Sequence, residues 1–260
     1  MCFDHDSRPP ITPIAGGSLD AGDIELTSED GTTFAAFEAR AAHPTGNGIV
    51  ILPDVRGLHA YYKELTLRFA EHGVDAIAID YFARSAGIGD RGPDFDYQPH
   101  VGQTTFDTLK ADTLAAAAHL RSTANPTHLY ATGFCMGGRL ALLAGTFGID
   151  VDGVIGFYGW PVGSSRNGTP APADVAGEMQ GRVLAIFGGA DEGIPASTVQ
   201  TFEAALVKAG VDHVVTTYAG APHSFFDRKA TDFADASAAA WAETLRFMGL
   251  PADAAPTHGA

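Results

Sequence analysis

The chain reads as an α/β protein built on a mostly parallel sheet covered by helices on both faces, and three features predict this. Short, continuous apolar runs recur along it, among them Gly48-Ile-Val-Ile-Leu-Pro53, Val74-Asp-Ala-Ile-Ala-Ile-Asp80 and Arg182-Val-Leu-Ala-Ile-Phe187, the pattern of strands buried on both faces. Segments with apolar residues at helical spacing separate these runs, so the strands are joined by crossovers rather than by hairpins. With 260 residues, 45% of them hydrophobic and 18% charged, and no break in composition, one domain is expected.

In chain order, residues 1–22 are rich in Pro, Gly and Asp and are expected to be irregular. Asp23-Ile-Glu-Leu-Thr27 and Thr32-Thr-Phe-Ala-Ala-Phe-Glu-Ala-Arg40 flank Glu29-Asp-Gly31, which reads as an antiparallel hairpin at a sheet edge. After the strand at 48–53 comes a helix at 61–72, then the central strand at 74–80. Residues 81–104 are rich in Gly, Asp and Pro and form a long loop, a kind of segment that in compact domains is usually functional or disordered. A helix follows at about 105–121, then a strand from His128 that runs into a further helix. Strands at 153–158, 182–187 and 213–218 complete the sheet, with a loop at 159–180 and helices at 196–209 and 234–248. This is the α/β-hydrolase plan, with the domain at 23–250 and a flexible tail at 251–260.

The stretch that organises the chain is His128-Leu-Tyr-Ala-Thr-Gly-Phe-Cys-Met-Gly-Gly-Arg-Leu-Ala-Leu-Leu-Ala144. Gly133, Cys135 and Gly137 give G-x-C-x-G, the nucleophile-elbow pattern with a thiol in place of the hydroxyl. The turn is sharp enough that a Cβ at either glycine would collide with backbone. It places Cys135 at a helix start, where the macrodipole and free N–H groups favour a thiolate. A small buried cysteine among helix-packing glycines is the plainer alternative. A dinucleotide-binding fingerprint fits poorly, because Cys135 stands where the second glycine would be.

The charge narrows the partners. With 31 acidic against 16 basic residues the formal net charge is -15, which repels nucleic-acid backbones and anionic membranes. No apolar run is long enough to span a bilayer and the first residues lack a signal-peptide pattern, so a cytoplasmic location is expected. Two cysteines are too few for a disulfide scaffold, and Cys2, in a polar N-terminus, reads as an exposed bystander. The ten histidines show no close-spaced ligand set, so no metal or other cofactor is expected. The expected partner is a small molecule, and the chain a monomer or small homo-oligomer.

In a parallel sheet, ligands bind beyond the carboxyl ends of the strands. Three residues there carry chemistry: Cys135, Asp191 after Phe187-Gly-Gly-Ala, and His223 after Tyr218-Ala-Gly-Ala-Pro. Nucleophile, acid, histidine is the triad order of α/β-hydrolases. Singly, Asp191 also fits a turn or cap and His223 a loop; together at strand ends they favour a triad.

Gly133-Phe-Cys-Met-Gly-Gly138, Gly189-Ala-Asp-Glu-Gly-Ile-Pro195 and His223-Ser-Phe225 resemble the dienelactone hydrolase family of cysteine-dependent α/β-hydrolases, over residues 50–247. The resemblance implies Cys135 as nucleophile, His223 as base and acid, and Asp191 as the group orienting the imidazole. It also implies an oxyanion hole from the backbone N–H groups of Val55 and Met136. Asp54 stands where the namesake enzymes carry a Glu that governs the thiol; a salt bridge to Arg56 is the alternative reading. Arg84 matches the family's substrate-carboxylate arginine, and Ser224, within the matched His-Ser-Phe, is expected to contact the substrate. Tyr158 and Trp160, just after a strand, are expected to line the pocket or to belong to the core. The second arginine of the family is replaced by Asp227, with Arg228 one step later. This predicts a weaker preference for carboxylate-bearing lactones, provided Asp227 faces the pocket.

The expected activity is cleavage of a lactone or activated ester through a Cys-His-Asp triad and a thioester acyl-enzyme. A general carboxylesterase or thioesterase shares the triad, and a thiol-based binding or redox-sensing protein needs only the cysteine.

Overall fold

The computed structural model describes residues 6–252. An eight-stranded sheet runs in the order β1-β2-β4-β3-β5-β6-β7-β8. Its strands are β1 (Ser18–Thr27), β2 (Thr33–Ala41), β3 (Asn47–Leu52), β4 (Val74–Ile79), β5 (His128–Phe134), β6 (Gly153–Phe157), β7 (Arg182–Gly188) and β8 (His213–Tyr218). β2 pairs antiparallel with both β1 and β4, and every other pairing is parallel, so β2 alone runs against the rest. The connections are α1 (Ala60–Glu71), the short α2 (Ala83–Ala86) and α3 (Gln98–Val101), α4 (Phe106–Thr123), α5 (Met136–Ala144), α6 (Ala196–Ala209) and α7 (Ala234–Phe247). The fold is an α/β-hydrolase fold.

Burial follows the sequence pattern. β3, β4 and β6 are buried at every position, whereas β2 alternates and the edge strand β8 is nowhere fully buried. Each Leu, Ile or Phe taken fully out of water contributes about 1.5–3 kcal/mol, which holds helices against both faces of the central strands. The helix ends are set locally. α4 opens with a capping box in which Thr105 and Thr108 bond reciprocally, and α6 closes on Gly210 in the left-handed conformation.

Two expectations change. The first strand begins at Ser18 rather than Asp23, so the irregular segment is shorter than residues 1–22. A register shift between Ser18 and Ala21 extends the pairing from Ala21 back to Ser18, and such an irregularity hides the start of the strand from a reading based on alternation. The loop at 81–104 contains α2 and α3, whose four-residue length gives no periodic signal. Cys2 and all but the first two residues of the tail at 251–260 lie outside the described residues. Among the described residues no helix is long and apolar enough to cross a membrane.

The chain order reverses at β3, with β4 on one side of it and β5 on the other. Ligands bind outside the carboxyl ends of strands at such a switch point, and Pro53 and Cys135 immediately follow β3 and β5.

Candidate active site

The elbow is built as its glycines require. Cys135 has φ 55° and ψ -114°, a strained conformation for a residue with a side chain, and caps α5. Its N–H donates to the carbonyl of Phe157 (3.0 Å) and its carbonyl accepts from Arg139 N–H (3.1 Å), tying the turn to β6 and to the first turn of α5. A Cβ on Gly133 would stand 2.0 Å from the carbonyl oxygen of Gly137, and one on Gly137 2.0 Å from that of Leu52. The absent side chains let the strand, the helix and the loop after β3 meet at backbone contact. Beneath them Phe134 stacks on Phe157 at 4.7 Å between centroids, and Phe157 lies 4.9 Å from Phe226, a rigid apolar floor.

Asp191 and His223 arrive from the ends of β7 and β8. Asp191 is buried; its Oδ2 lies 2.6 Å from His223 Nδ1, and its Oδ1 accepts from Gly193 N–H at 2.9 Å. An ionised carboxylate only accepts, so Nδ1 carries the proton and Nε2 is the imidazole nitrogen on the far side of the ring. Tyr158 packs against that ring at 4.9 Å between centroids, and burial pushes its hydroxyl well above the usual tyrosine range, so it stays a neutral wall.

Cys135 and His223 line one cavity of about 440 Å³ together with Val55, Met136, Tyr158 and Trp160. The structure therefore brings together six of the residues singled out in the sequence, with Asp191 behind the imidazole. Among the described residues the N–H groups of Val55 and Met136 donate to no protein acceptor. The loop carrying Val55 is fixed from several sides. Asp54 N–H donates to Tyr62 Oη (3.0 Å), Tyr81 Oη donates to the carbonyl of Pro53 (3.0 Å), and Arg56 N–H donates to Asp54 Oδ1 (2.8 Å).

Four expected positions lie elsewhere. Asp54 turns its carboxylate to Arg56, which donates through Nε (3.0 Å to each oxygen) and Nη2 (2.7 Å), and it is not in the cavity wall. The salt-bridge reading of Asp54 is the one the geometry follows. Arg84 is bound to Asp30 and Asp112, at 2.7 Å in each case, and is likewise absent from the wall. Ser224 is a buried turn residue with φ 59° whose carbonyl accepts from Asp227 and Lys229. Asp227 is 4% exposed and pairs with Arg56 and Ser7, so it does not face the cavity and the selectivity expectation built on it loses its basis.

The cavity also has a wall within the loop at 159–180, formed by Ser165, Arg166, Asn167 and Thr169. Arg139, in the wall as well, holds that loop through its guanidinium. The length of the loop at 159–180, like that of 81–104, is the sequence signal that marks it.

Fold and site define a hydrolase of the α/β type. The dienelactone hydrolase family model matches residues 34–250, and the chain belongs to that family, whose members are hydrolases acting on esters or lactones. A protein from Methylorubrum extorquens named "Putative carboxymethylenebutenolidase" is 30% identical over 230 residues, 84% of this chain and 76% of that one. A protein of the same name from Salmonella typhimurium is 27% identical, over 86% and 88% of the two chains. A crystal structure titled "Putative Dienelactone Hydrolase" from Klebsiella pneumoniae superposes with a TM-score of 0.72 at 26% identity, covering 89% of this chain and 99% of that one.

Proposed function

We propose that the protein hydrolyses a lactone or activated ester by acyl transfer through Cys135. The observation that carries this reading is the shared cavity of Cys135 and His223, with Asp191 fastened to the imidazole at 2.6 Å. His223 Nε2 takes the thiol proton, Asp191 stabilising the imidazolium and fixing its tautomer. The thiolate attacks the carbonyl carbon, and the oxygen that becomes negative lies against the N–H groups of Val55 and Met136, whose dipoles are fixed before the reaction begins. The tetrahedral intermediate collapses to a thioester as the alkoxide leaves with the proton from His223. Water, deprotonated by His223, then attacks the thioester and releases the acid and the thiol.

A thiolate leaves easily, so the first intermediate reverts to reactants unless the substrate oxygen leaves at least as well. Enol lactones and aryl esters meet that condition and amides do not. The names of the relatives point to a carboxylated unsaturated lactone as the type of substrate. The loss of Asp227 from the cavity removes the repulsion that argued against it. The reading is tested with a panel of 4-nitrophenyl esters, unsaturated lactones and the matching amides. Turnover of the first two classes without the third is expected; turnover of none, or of amides equally, contradicts it.

A further inference from the structure

One side chain clamps the loop that closes the cavity. Arg139, one turn beyond Cys135 in α5, is buried, and its guanidinium donates to Thr169 Oγ1 (2.9 Å). It also donates to the carbonyl oxygens of Trp160 (2.9 Å), Val162 (3.4 Å), Gly163 (2.8 Å), Thr169 (3.0 Å) and Pro170 (2.8 Å). All of these acceptors are neutral. Five backbone carbonyls and one hydroxyl satisfy the donors of Arg139, and none of these acceptors brings a negative charge into the cavity wall. Within the loop Thr169 Oγ1 donates to Ser165 Oγ (2.6 Å), and Ser165 Oγ to Asn167 Oδ1 (2.8 Å). The segment is thus held in one conformation from both ends, and its tip is preorganised.

Arg166 sits at that tip. It is exposed, lines the cavity with Cys135 and His223, and makes no hydrogen bond or ion pair with any described residue. The other arginines near the strand ends are consumed: Arg84 by Asp30 and Asp112, Arg56 by Asp54 and Asp227, Arg91 by Asp80. In a chain with 31 acidic against 16 basic residues, an arginine without a carboxylate partner among the described residues stands out. Among the described residues no Asp or Glu lines this cavity, so the fixed charges of its wall are Arg139, Arg166 and the positive end of α5. The rest of the wall is largely apolar and includes Val101, Leu109, Leu140, Ile194, Trp160 and Tyr158.

We propose that Arg166 is the anion subsite of this enzyme, selecting esters or lactones whose apolar body fills the cavity and whose carboxylate lies at its mouth. The assignment rests on the hydrolase reading for the identity of the site, and on the cavity alone for the charge preference. A guanidinium grips a carboxylate through two parallel N–H donors, and the clamped loop spares the substrate the ordering of its partner. At a partly exposed mouth such a contact is worth a several-fold preference rather than a thousandfold one.

The test compares phenylacetate with phenylacetamide, the same apolar body with and without the charge, by calorimetric titration of the full-length protein. Neither probe is turned over by ester hydrolysis, so failure of the hydrolysis assays and failure of this inference are separate results. Wild type is expected to bind the anion about five- to tenfold more tightly than the amide. Arg166→Gln should reduce that ratio to near one, Arg166→Lys should restore part of it, and 0.5 M salt should shrink it in wild type, roughly as Debye screening requires. Equal affinity in wild type, or a preference that survives Arg166→Gln, overturns the assignment.

Discussion

Asp227, just after the candidate catalytic histidine, forms a buried ion pair with Arg56 in the loop that carries Val55. The two residues are 171 positions apart in sequence, and both side chains are about 3% exposed. Because Arg56 also binds Asp54, one guanidinium joins the loop after β3 to the segment that follows His223. Placing such a group between two carboxylates repays part of the cost of burying all three.

That burial has a pH signature. Desolvation pushes Asp227 up to about 6, with the Arg56 charge pulling the other way and Asp54 adding to the rise. The folded-state value is above the unfolded one, so the folded chain holds this proton more tightly. The associated stability is fully present below about pH 4 and is lost as pH rises through about 6. Just over two pKa units correspond to roughly 3 kcal/mol. In urea unfolding, wild-type stability relative to Asp227→Asn should therefore fall by about that much between pH 4 and pH 7. A difference independent of pH would show that Asp227 is not held in this way.

The elbow makes a steric prediction. Gly137→Ala puts a methyl group 2.0 Å from the carbonyl oxygen of Leu52 and 2.2 Å from that of Pro53, backbone atoms that cannot swing aside. Gly177→Ala meets nothing within 4 Å. The first should lower stability by about 3 kcal/mol or more, or prevent folding, and the second should change it by less than about 1 kcal/mol. Thermal melts of the two variants check this, and equal melting temperatures would contradict the packing described.

Asp191 and His223 should behave as one unit. Asp191→Asn removes the charge that stabilises the imidazolium and allows an amide N–H to face Nδ1 in the wrong tautomer, and His223→Ala removes the base, so each should lower kcat/KM on a 4-nitrophenyl ester by roughly 10²- to 10⁴-fold. The double variant should be little worse than His223→Ala. Additive losses in the double variant would indicate two independent sites.

Much of this was legible in the sequence, for local reasons. Continuous apolar runs mark β3, β4 and β6 because burial on both faces leaves no room for polar alternation. The glycines around Cys135 mark the elbow because only a missing Cβ permits its contacts. Asp191 and His223 were visible as polar residues at strand ends. The features that are not legible depend on partners distant in sequence. Arg84 resembles a carboxylate-binding residue, but Asp112, 28 residues on, and Asp30, 54 residues back, claim it. Nothing near Asp227 announces its pairing with Arg56. Arg139 stands in plain view beside the elbow, yet its role appears only when the loop after β6 folds back over α5.

The central claim is that Cys135 carries the acyl group. It is tested most directly by mixing the protein with 4-nitrophenyl acetate, quenching in acid and weighing the intact chain, followed by peptide mapping. Wild type should gain one acetyl group, mapped to Cys135, and Cys135→Ala should show neither the adduct nor turnover while retaining its fold. Turnover that persists in Cys135→Ala, or an acetyl group mapped to another residue, would contradict the account.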